Sequence, residues 1–361
     1  MKNRYRGWIL LLFCLILLVS ACSRAEKEAG TGGEPGNTAE TFPSSEEQEE
    51  SVKEDRPFQI GVSIYRYDDN FMKLYREELK KYLEEEYGAT VTMRNARGSQ
   101  EEQNKQVKEF LEAGCDAVIV NLVDTKSAAH VADLCHEAGT ALVFINREAP
   151  EDEQERWERQ EMAVACVGTD SGQAGTYQGE IILETENQGD FNGDGTVSYV
   201  MIMGERGNRD TLSRTEYSVK ALENAGLRTE KLFGSYGNWK QEEGRKLAER
   251  ALKLYGRRIE VIFCNNDAMA EGAFEAIDAA GRTVGKDIYL VGVDALEDAV
   301  TMVKDGRMTG TVLNDHTAQS HTAADVAVKM IQGEETDKRY LVDYIKITTI
   351  STNQKNTESE E

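Results

Sequence analysis

Polar side chains follow many of the short apolar runs in this sequence, at the points where predicted strands end. The clearest group is Asn265-Asn266-Asp267, directly after the apolar run that ends at Cys264. Asp and Asn at such points often cap the next helix, but one cap per helix suffices, so capping does not explain three in succession. Other runs end in residues of the same kind, at Asp68-Asp69-Asn70, Asn121, Asn146, Asp170, Asp294 and Asn314-Asp315.

Two aromatic residues, Phe71 and Trp239, stand beside predicted helix starts and are also left unexplained by capping. Sugar hydroxyls pair with carboxylates, amides and arginine, and the C–H faces of the ring pack on aromatic side chains. A hydrogen bond contributes about 1 kcal/mol, or about 1.5–3 kcal/mol with a charged partner, so six of them roughly supply micromolar binding. The pattern predicts a sugar site. Read singly, Trp239 can also be a core residue and Arg214 half of a surface ion pair.

A second motif runs from Asp190 to Ser198 and matches the first nine positions of an EF-hand loop. In such a loop, oxygens at alternate positions converge on one cation, and a glycine, here Gly195, permits the sharp turn. The twelfth position should be a bidentate glutamate, but Met201 stands there. A self-contained EF-hand is therefore not expected, and the alternative is a polar Asp/Gly turn.

The elements that must position these residues form an alternating series from Phe58 onward. Short apolar runs alternate with amphipathic helical stretches, which indicates parallel sheets covered by helices on both faces. The series is interrupted by the segment from Glu148 to Glu161, which is polar and contains Pro150, and it resumes after this segment. Ligands bind at the carboxyl ends of such strands, where the polar residues stand. The predicted fold is α/β, with two doubly wound parallel-sheet lobes joined by a multi-strand hinge.

The predicted domains follow from this series. We expect residues 58–165 and about 315–345 to form the N-terminal lobe. Residues 166–314 and about 346–354 form the C-terminal lobe, and residues 355–361 are a tail.

Several blocks, in order from about Ile60 to Asp315, resemble the periplasmic galactose- and glucose-binding proteins, a family of type I periplasmic binding proteins. Each block is weak alone, but together they are specific. The blocks are Tyr65-Arg66-Tyr67-Asp68-Asp69-Asn70-Phe71-Met72, Asn121-Leu122-Val123-Asp124, Val167-Gly168-Thr169-Asp170-Ser171, Asn265-Asn266-Asp267-Ala268-Met269, Gly292-Val293-Asp294-Ala295-Leu296 and Gly310-Thr311-Val312-Leu313-Asn314-Asp315.

The resemblance implies a set of sugar contacts. In it, Phe71 and Trp239 sandwich the ring, Asp69 accepts from the hydroxyl at carbon 4, and Asp210 with Arg214 holds the anomeric end. One position departs from the family, because Asn208 stands where the family pattern has a histidine, which leaves the preference among glucose, galactose and close relatives open. The implied contacts are Asp69, Phe71, Asn121, Asn208, Asp210, Arg214, Trp239, Asn266, Asp294 and Asn314.

The resemblance also implies a structural Ca²⁺ at the loop of the second motif. Glu260, from a distant strand, supplies the missing carboxylate, and Ser198 replaces a longer amide ligand, which predicts weaker binding. The implied ligands are Asp190, Asn192, Asp194, Thr196, Ser198 and Glu260.

The first 22 residues predict export. Basic residues precede an apolar run from Trp8 to Val19, the pattern of a signal peptide. The run is shorter than the roughly 20 residues that span a bilayer, so a slightly short membrane helix is the weaker alternative. Val19-Ser20-Ala21-Cys22 resembles the bacterial lipobox, which implies diacylglycerol on Cys22 and anchoring to the outer face of the bacterial cell membrane. Residues 23–57 are acidic, poor in large apolar residues and predicted to be a disordered tether.

Composition narrows the partners. The formal net charge of −23 argues against nucleic acid, because phosphate binding needs clustered Lys and Arg. No CxxC or Cys/His spacing suggests a metal site, so we expect free thiols at four positions. These are Cys115, Cys135, Cys166 and Cys264.

The predicted function is capture of a monosaccharide and its delivery to an ABC sugar permease by a monomer without catalytic activity. The alternative is presentation of the same sugar to a chemoreceptor or a sensor kinase. A glycosidase that uses Asp69 and Asp210 as its carboxylate pair is disfavoured, because both carboxylates are needed for hydroxyls and the sequence has no nucleophile motif.

Overall fold

A computed structural model describes residues 56–349 of the chain, and the predicted signal peptide, Cys22, the tether as far as Asp55 and the tail lie outside these residues. The strands are β1 (Gln59–Ile64), β2 (Thr90–Asn95), β3 (Ala117–Val120), β4 (Ala141–Ile145), β5 (Val164–Gly168), β6 (Thr196–Met203), β7 (Arg228–Tyr236), β8 (Val261–Cys264), β9 (Tyr289–Val291), β10 (Gly310–Leu313), β11 (Arg339–Leu341) and β12 (Ile345–Thr348). The helices are α1 (Asn70–Tyr87), α2 (Gln100–Glu112), α3 (Ala128–Glu137), α4 (Glu151–Arg159), α5 (Ser171–Leu183), α6 (Arg209–Asn224), α7 (Gln241–Tyr255), α8 (Asp267–Ala279), α9 (Glu297–Lys304) and α10 (His316–Gln332).

The strands form two six-stranded sheets, one in each lobe. The first has the order β2-β1-β3-β4-β5-β11 and the second the order β7-β6-β8-β9-β10-β12. All neighbours are parallel except β10 and β12, which pair antiparallel. Apolar residues pack on both faces of each sheet, as expected when helices cover both sides. The predicted α/β fold with two doubly wound lobes is confirmed.

Three segments connect the lobes. The first lies between β5 and α5, the second between β10 and α10, and the third between β11 and β12. The helix α10 packs against α1 and against the first sheet, so the chain returns to the first lobe after β10. These crossings surround the carboxyl ends of the strands, where the predicted site lies.

Two predicted lobe boundaries need correction. The boundary between residues 165 and 166 falls inside β5, which pairs along its length with β4. The first lobe therefore continues to Gly168, because the strand stays apolar and buried until Thr169. At the other boundary, Ile345 belongs to β12 of the second sheet.

The break predicted between Glu148 and Glu161 contains the helix α4. Its polar composition hid one apolar anchor, Trp157, which is fully buried. The Trp157 ring stacks on Phe144 with centroids 5.4 Å apart, and its Nε1 donates to Glu153 Oε1 at 2.6 Å. The remaining Glu and Arg residues give the helix a solvated face.

The cysteines and helices of the described segment add two observations. The four cysteines within it are unpaired, and burial raises the pKa of the Cys135 and Cys166 thiols to about 12. Both thiols are therefore protonated and inert near neutral pH. Among the helices of residues 56–349, none combines the length and the apolar character needed to cross a bilayer.

Candidate functional site

A cavity between the two lobes collects nine of the ten residues that the sequence predicted as sugar contacts. The first lobe contributes Asp69 and Phe71, and the remaining seven come from the second lobe and from the crossing after β10. Four further residues line the wall. Asn146 was identified from the sequence as a strand-end residue but not as a contact, and Tyr65, Met72 and Arg147 were not predicted as contacts. The nine predicted wall residues are Asp69, Phe71, Asn208, Asp210, Arg214, Trp239, Asn266, Asp294 and Asn314.

The predicted contact that does not reach the wall is Asn121. Its side chain is fully buried, and its Nδ2 donates to Ile145 O at 3.0 Å and to Asn146 Oδ1 at 3.1 Å. The end of β4 therefore covers the end of β3. Asn121 positions Asn146, which has a left-handed φ of 61° and lines the cavity in its place.

Asp69 both caps a helix and lines the cavity. It follows β1, and its Oδ1 accepts from Met72 N at 2.8 Å, which caps α1. Its Oδ2 accepts from the Tyr65 hydroxyl at 2.6 Å. Each carboxylate oxygen has a further lone pair, so capping and ligand binding are compatible at this residue.

Arg147 belongs to the first lobe but reaches across the cleft. Its guanidinium lies 3.8 Å above the Tyr65 ring centroid, its Nη1 donates to Val123 O at 3.2 Å, and its Nη2 donates to Glu205 Oε2 at 2.8 Å. The sequence offered one signal for it, because it directly follows the strand-end residue Asn146.

The Trp239 segment of the second lobe has a strained backbone. Asn238 and Trp239 have left-handed φ values of 52° and 66°, and such residues cost about 1–3 kcal/mol each. The Trp239 carbonyl accepts from Asn266 Nδ2 at 3.3 Å. A Cβ at Gly204 would overlap the Trp239 ring, so the glycine gives the ring its place.

A second strained segment carries Asp294. Asp294 and Ala295 have φ values of 116° and 51°. Asp294 N donates to Val312 O at 2.8 Å, and Leu296 N donates to the buried Asp267 Oδ2 at 2.9 Å. These bonds fix the Asp294 carboxylate, whose Oδ1 accepts from Asn314 Nδ2 at 3.2 Å.

The group Asn265-Asn266-Asp267 serves three purposes. Asn265 Oδ1 accepts from Gly204 N at 3.1 Å and fixes the loop beneath Trp239. Asn266 caps α8 through Met269 N at 3.1 Å and lines the cavity. Asp267 holds the Asp294 segment through its bond to Leu296 N. Of the three consecutive polar residues, one therefore caps a helix and the other two hold neighbouring loops in place.

The electrostatics of the cavity centre on Arg214, which is 3% exposed. Its Nη1 lies 3.8 Å from Asp294 Oδ1 and its Nη2 lies 3.9 Å from Asp210 Oδ2. Burial raises the pKa of Asp294 to about 7, although Arg214 and Asn314 lower it and the nearby Asp69 and Asp210 raise it. The Arg214 Nε is buried without a hydrogen-bond partner among the described residues, so one donor of this guanidinium is unused.

Asn208, at the position of the family histidine, caps α6. Its Oδ1 accepts from Thr211 N at 3.0 Å. The side of Asn208 that is left to contact a ligand is therefore the Nδ2 donor.

Ion pairs hold the two lobes together around the cavity. Glu205 of the second lobe accepts from Arg66 at 2.9 Å and from Arg147 at 2.8 Å. Arg209 of the second lobe pairs with Glu148 of the first, and Lys240 Nζ lies 3.5 Å from Asp68 Oδ2. The lobes are thus in contact around the cavity, as in a closed form, and the cavity between them stays partly open to solvent.

A larger opening adjoins the cavity and shares Arg147, Asn208 and Asp210 with it. It encloses about 950 Å³ against about 370 Å³ for the cavity, and both volumes include space open to solvent. Its charged groups Glu148, Glu205 and Arg209 are already engaged in interlobe pairs. The residues Phe71, Trp239 and Arg214 line the smaller cavity, which is therefore the stronger candidate site.

The loop from Asp190 to Ser198 is closed by hydrogen bonds to Glu260. Glu260 is 2% exposed, and its Oε1 and Oε2 accept from Asn192 N at 3.1 Å and Ser198 N at 2.9 Å. Asp190 accepts from Gly193 N and Gly195 N, both at 2.8 Å. Within residues 56–349, no group of three or more His, Cys, Asp or Glu residues stands in an arrangement that could hold a metal ion.

Comparisons with known proteins agree with this geometry. Residues 60–335 match the family described as periplasmic binding protein domain. The D-galactose/methyl-galactoside binding periplasmic protein MglB of Haemophilus influenzae is 34% identical over 279 residues, which cover 76% of this chain and 82% of that protein. The D-ribose/D-allose-binding protein of Pseudomonas aeruginosa is 28% identical over 233 residues, covering 64% and 68%.

Among solved structures, an ABC transporter solute binding protein from Bacillus halodurans with bound myo-inositol superposes with a TM-score of 0.71. It is 27% identical and covers 83% of this chain and 97% of that one. The fold and the interlobe cavity define a two-lobed solute-binding protein, and the family match adds that this class is exported and non-enzymatic. The chain belongs to the periplasmic binding protein family, and within it to the sugar-binding type that serves ABC importers.

Proposed function

We propose that this protein binds D-galactose or D-glucose in the interlobe cavity and delivers the sugar to an ABC importer. The observation that carries the proposal is the convergence of Asp210, Arg214, Trp239 and Asp294 with Asp69 and Phe71 of the other lobe on one cavity. The relative from Haemophilus influenzae, which is named for galactose and methyl-galactoside, supports the same ligand class.

In the proposed complex, carboxylates accept from the sugar hydroxyls and buried donors complete the pairs. Asp69, Asp210 and Asp294 are the acceptors, because each presents an oxygen at the wall. Arg214 supplies the charged donor of the wall through its guanidinium, and Asn208 donates through Nδ2. The Phe71 and Trp239 rings, one from each lobe, pack on the two apolar faces of the ring, so only a ring-shaped polyol satisfies the whole wall.

The choice among ring polyols is the finer part of the proposal. The relative from Pseudomonas aeruginosa is named for ribose and allose, and the structure from Bacillus halodurans holds myo-inositol. We favour galactose or glucose over these ligands because the acceptors and Arg214 match the contacts of the galactose- and glucose-binding family residue by residue. Asn208 has a shorter side chain than the family histidine, so it is the position at which we expect this protein's preference among sugars to depart from that of the family.

Calorimetry on sugar-free protein tests the proposal. We expect galactose or glucose to bind with micromolar or tighter affinity, and D-ribose, D-allose and myo-inositol to bind at least tenfold more weakly. Tighter binding of one of these three would move the assignment to that ligand and leave the site in place. Silence with every aldohexose, pentose and cyclitol would overturn the proposed function.

We also propose that the loop from Asp190 to Ser198 holds a structural Ca²⁺, with Asn192, Asp194, Thr196 and Glu260 as the remaining ligands. Burial raises the pKa of Glu260, and a bound cation would offset that cost. Ca²⁺ stabilises a fold to which it binds selectively, so a chelator should lower the melting temperature, and excess Ca²⁺ should restore it. Glu260→Gln should remove the chelator effect, whereas an identical melting curve with and without chelator would contradict the site.

Lipid anchoring through Cys22 completes the proposal. Acyl chains contribute roughly 0.8 kcal/mol per buried methylene, so the mature protein should sediment with membranes. Cys22→Ala should move it to the soluble fraction, and an unchanged distribution would count against the anchor.

The alternative to delivery to an importer is presentation of the sugar to a chemoreceptor or a sensor kinase. A sugar response that persists in a strain without the importer would favour this alternative.

A further inference from the structure

The hydroxyl of Tyr344 connects the arginine of the cavity to the hinge. Arg214 Nη2 donates to the Tyr344 hydroxyl at 3.1 Å, and the same hydroxyl lies 2.8 Å from Thr169 Oγ1. Because the oxygen accepts from Arg214, its own proton is available for donation to Thr169. The three groups therefore form one chain of hydrogen bonds.

The chain joins two of the crossing segments. Thr169 follows β5 in the first crossing, and Tyr344 lies between β11 and β12 in the third. Tyr344 is 2% exposed, and its backbone N donates to Gln173 Oε1 at 2.7 Å. Tyr344 is absent from the cavity wall, so any effect on a ligand acts through Arg214.

The other anchor of Arg214 is fixed within the second lobe. Arg214 Nη1 donates to Asn265 O at 2.8 Å, directly after β8. Rotation of the lobes changes the torsion angles of the crossing segments, not the position of β8 in its sheet. The Tyr344 ring packs in the apolar core of the second lobe, and its hydroxyl contacts the first crossing segment through Thr169 Oγ1. Of the two anchors of the guanidinium, Tyr344 is therefore the one through which the hinge can act on Arg214.

We infer that Tyr344 is a positioning residue for sugar binding, because its hydroxyl aims Arg214 at the ligand only when the crossing segments have their closed geometry. The inference rests on the proposed function and adds to it the residue that couples lobe closure to the site. Arg214 is therefore oriented toward the ligand only when the lobes close, so the open form binds the sugar weakly.

Tyr344→Phe tests the inference, because it removes the hydroxyl and keeps the buried ring. Loss of a hydrogen bond to a charged group should weaken sugar binding at least about tenfold, and the change should lie in the dissociation rate, since the bond belongs to the closed form. Thr169→Val should weaken binding less, by roughly two- to fivefold. The double variant should bind as weakly as Tyr344→Phe alone, because both substitutions act through one hydroxyl.

Tyr199→Phe is the matched control, since Tyr199 is a buried tyrosine of the same lobe that does not line the cavity. It should bind as the wild type does. Affinity of Tyr344→Phe within twofold of the wild type, or losses in the double variant that simply multiply, would overturn the inference and leave the proposed function standing. If the wild type binds no sugar, the proposed function fails as well, and the two failures are thereby distinguished.

Discussion

The two lobes build their halves of the cavity differently. The first lobe presents Asp69 from an ordinary helix cap, with Tyr65 and Arg147 stacked behind it. The first lobe has one wall residue with a left-handed φ, Asn146. The second lobe presents Trp239 and Asp294 from two segments that each contain two consecutive residues with positive φ, and a nearly fully buried arginine lies beside both. Strain of this kind persists only where the surroundings fix it. The second lobe therefore carries a preformed half-site, and the first lobe completes it on closure.

Of the substitutions that test this difference between the lobes, we expect Arg214→Ala in the preformed half-site to have the largest effect on sugar binding. Arg214→Ala removes the charged donor and leaves Asp210 and Asp294 without their cation. Truncating one member of a buried charge pair costs about 2–5 kcal/mol in binding, which corresponds to a loss of at least roughly thirtyfold. Calorimetry measures it, with the exposed Arg206→Ala as the control. Equal affinity of both variants would mean that the arginine does not contact the ligand.

The next effect concerns the aromatic wall. Trp239→Ala should weaken sugar binding at least tenfold, because it removes the ring face on which the sugar packs, an effect we expect to be worth at least about 1.4 kcal/mol. Trp157→Phe, which changes the buried tryptophan of the first lobe, should leave the affinity unchanged. Binding of undiminished strength in Trp239→Ala would contradict the preformed half-site.

The pH dependence of binding comes from Asp294. Its pKa is raised to about 7, so below that pH the carboxyl is protonated and loses its capacity to accept two hydroxyl protons. If only the ionised form binds, affinity should fall roughly tenfold between pH 8 and pH 6. Asp294→Asn should bind weakly at both pH values and lose this dependence. A wild-type affinity that stays constant from pH 8 to pH 6 would show that ionisation of Asp294 in this range does not control sugar binding.

The smallest effect is expected at Asn121, which the sequence placed at the wall and the structure places behind it. Asn121→Ala removes two hydrogen bonds to the end of β4 and should lower the melting temperature. Sugar affinity should change by less than about threefold, since Asn121 acts only through Asn146. A loss of affinity as large as that of Trp239→Ala would show that Asn121 contacts the sugar directly and does not only support Asn146.

Much of this architecture was predictable from the sequence. The alternation of apolar runs and helical stretches determined the fold, and polar residues at strand ends located Asp69, Asn266 and Asp294. The order in which neighbouring strand ends cover one another leaves no mark in a single sequence, so Asn121 and Asn146 exchanged roles. Contacts made after closure, such as those of Arg147 and Tyr344, depend on pairing between distant segments and were not predicted for the same reason.

The most direct test uses the fluorescence of Trp239. In residues 56–349 the chain has two tryptophans, Trp157 in the core of the first lobe and Trp239 at the wall. The third, Trp8, precedes the predicted cleavage point, so Trp157→Phe in protein that begins at residue 22 isolates Trp239. Titration of this sugar-free variant with galactose or glucose should change the emission in a saturable way, with a midpoint equal to the calorimetric Kd. Heat of binding without any change in the Trp239 emission would show that the sugar binds elsewhere.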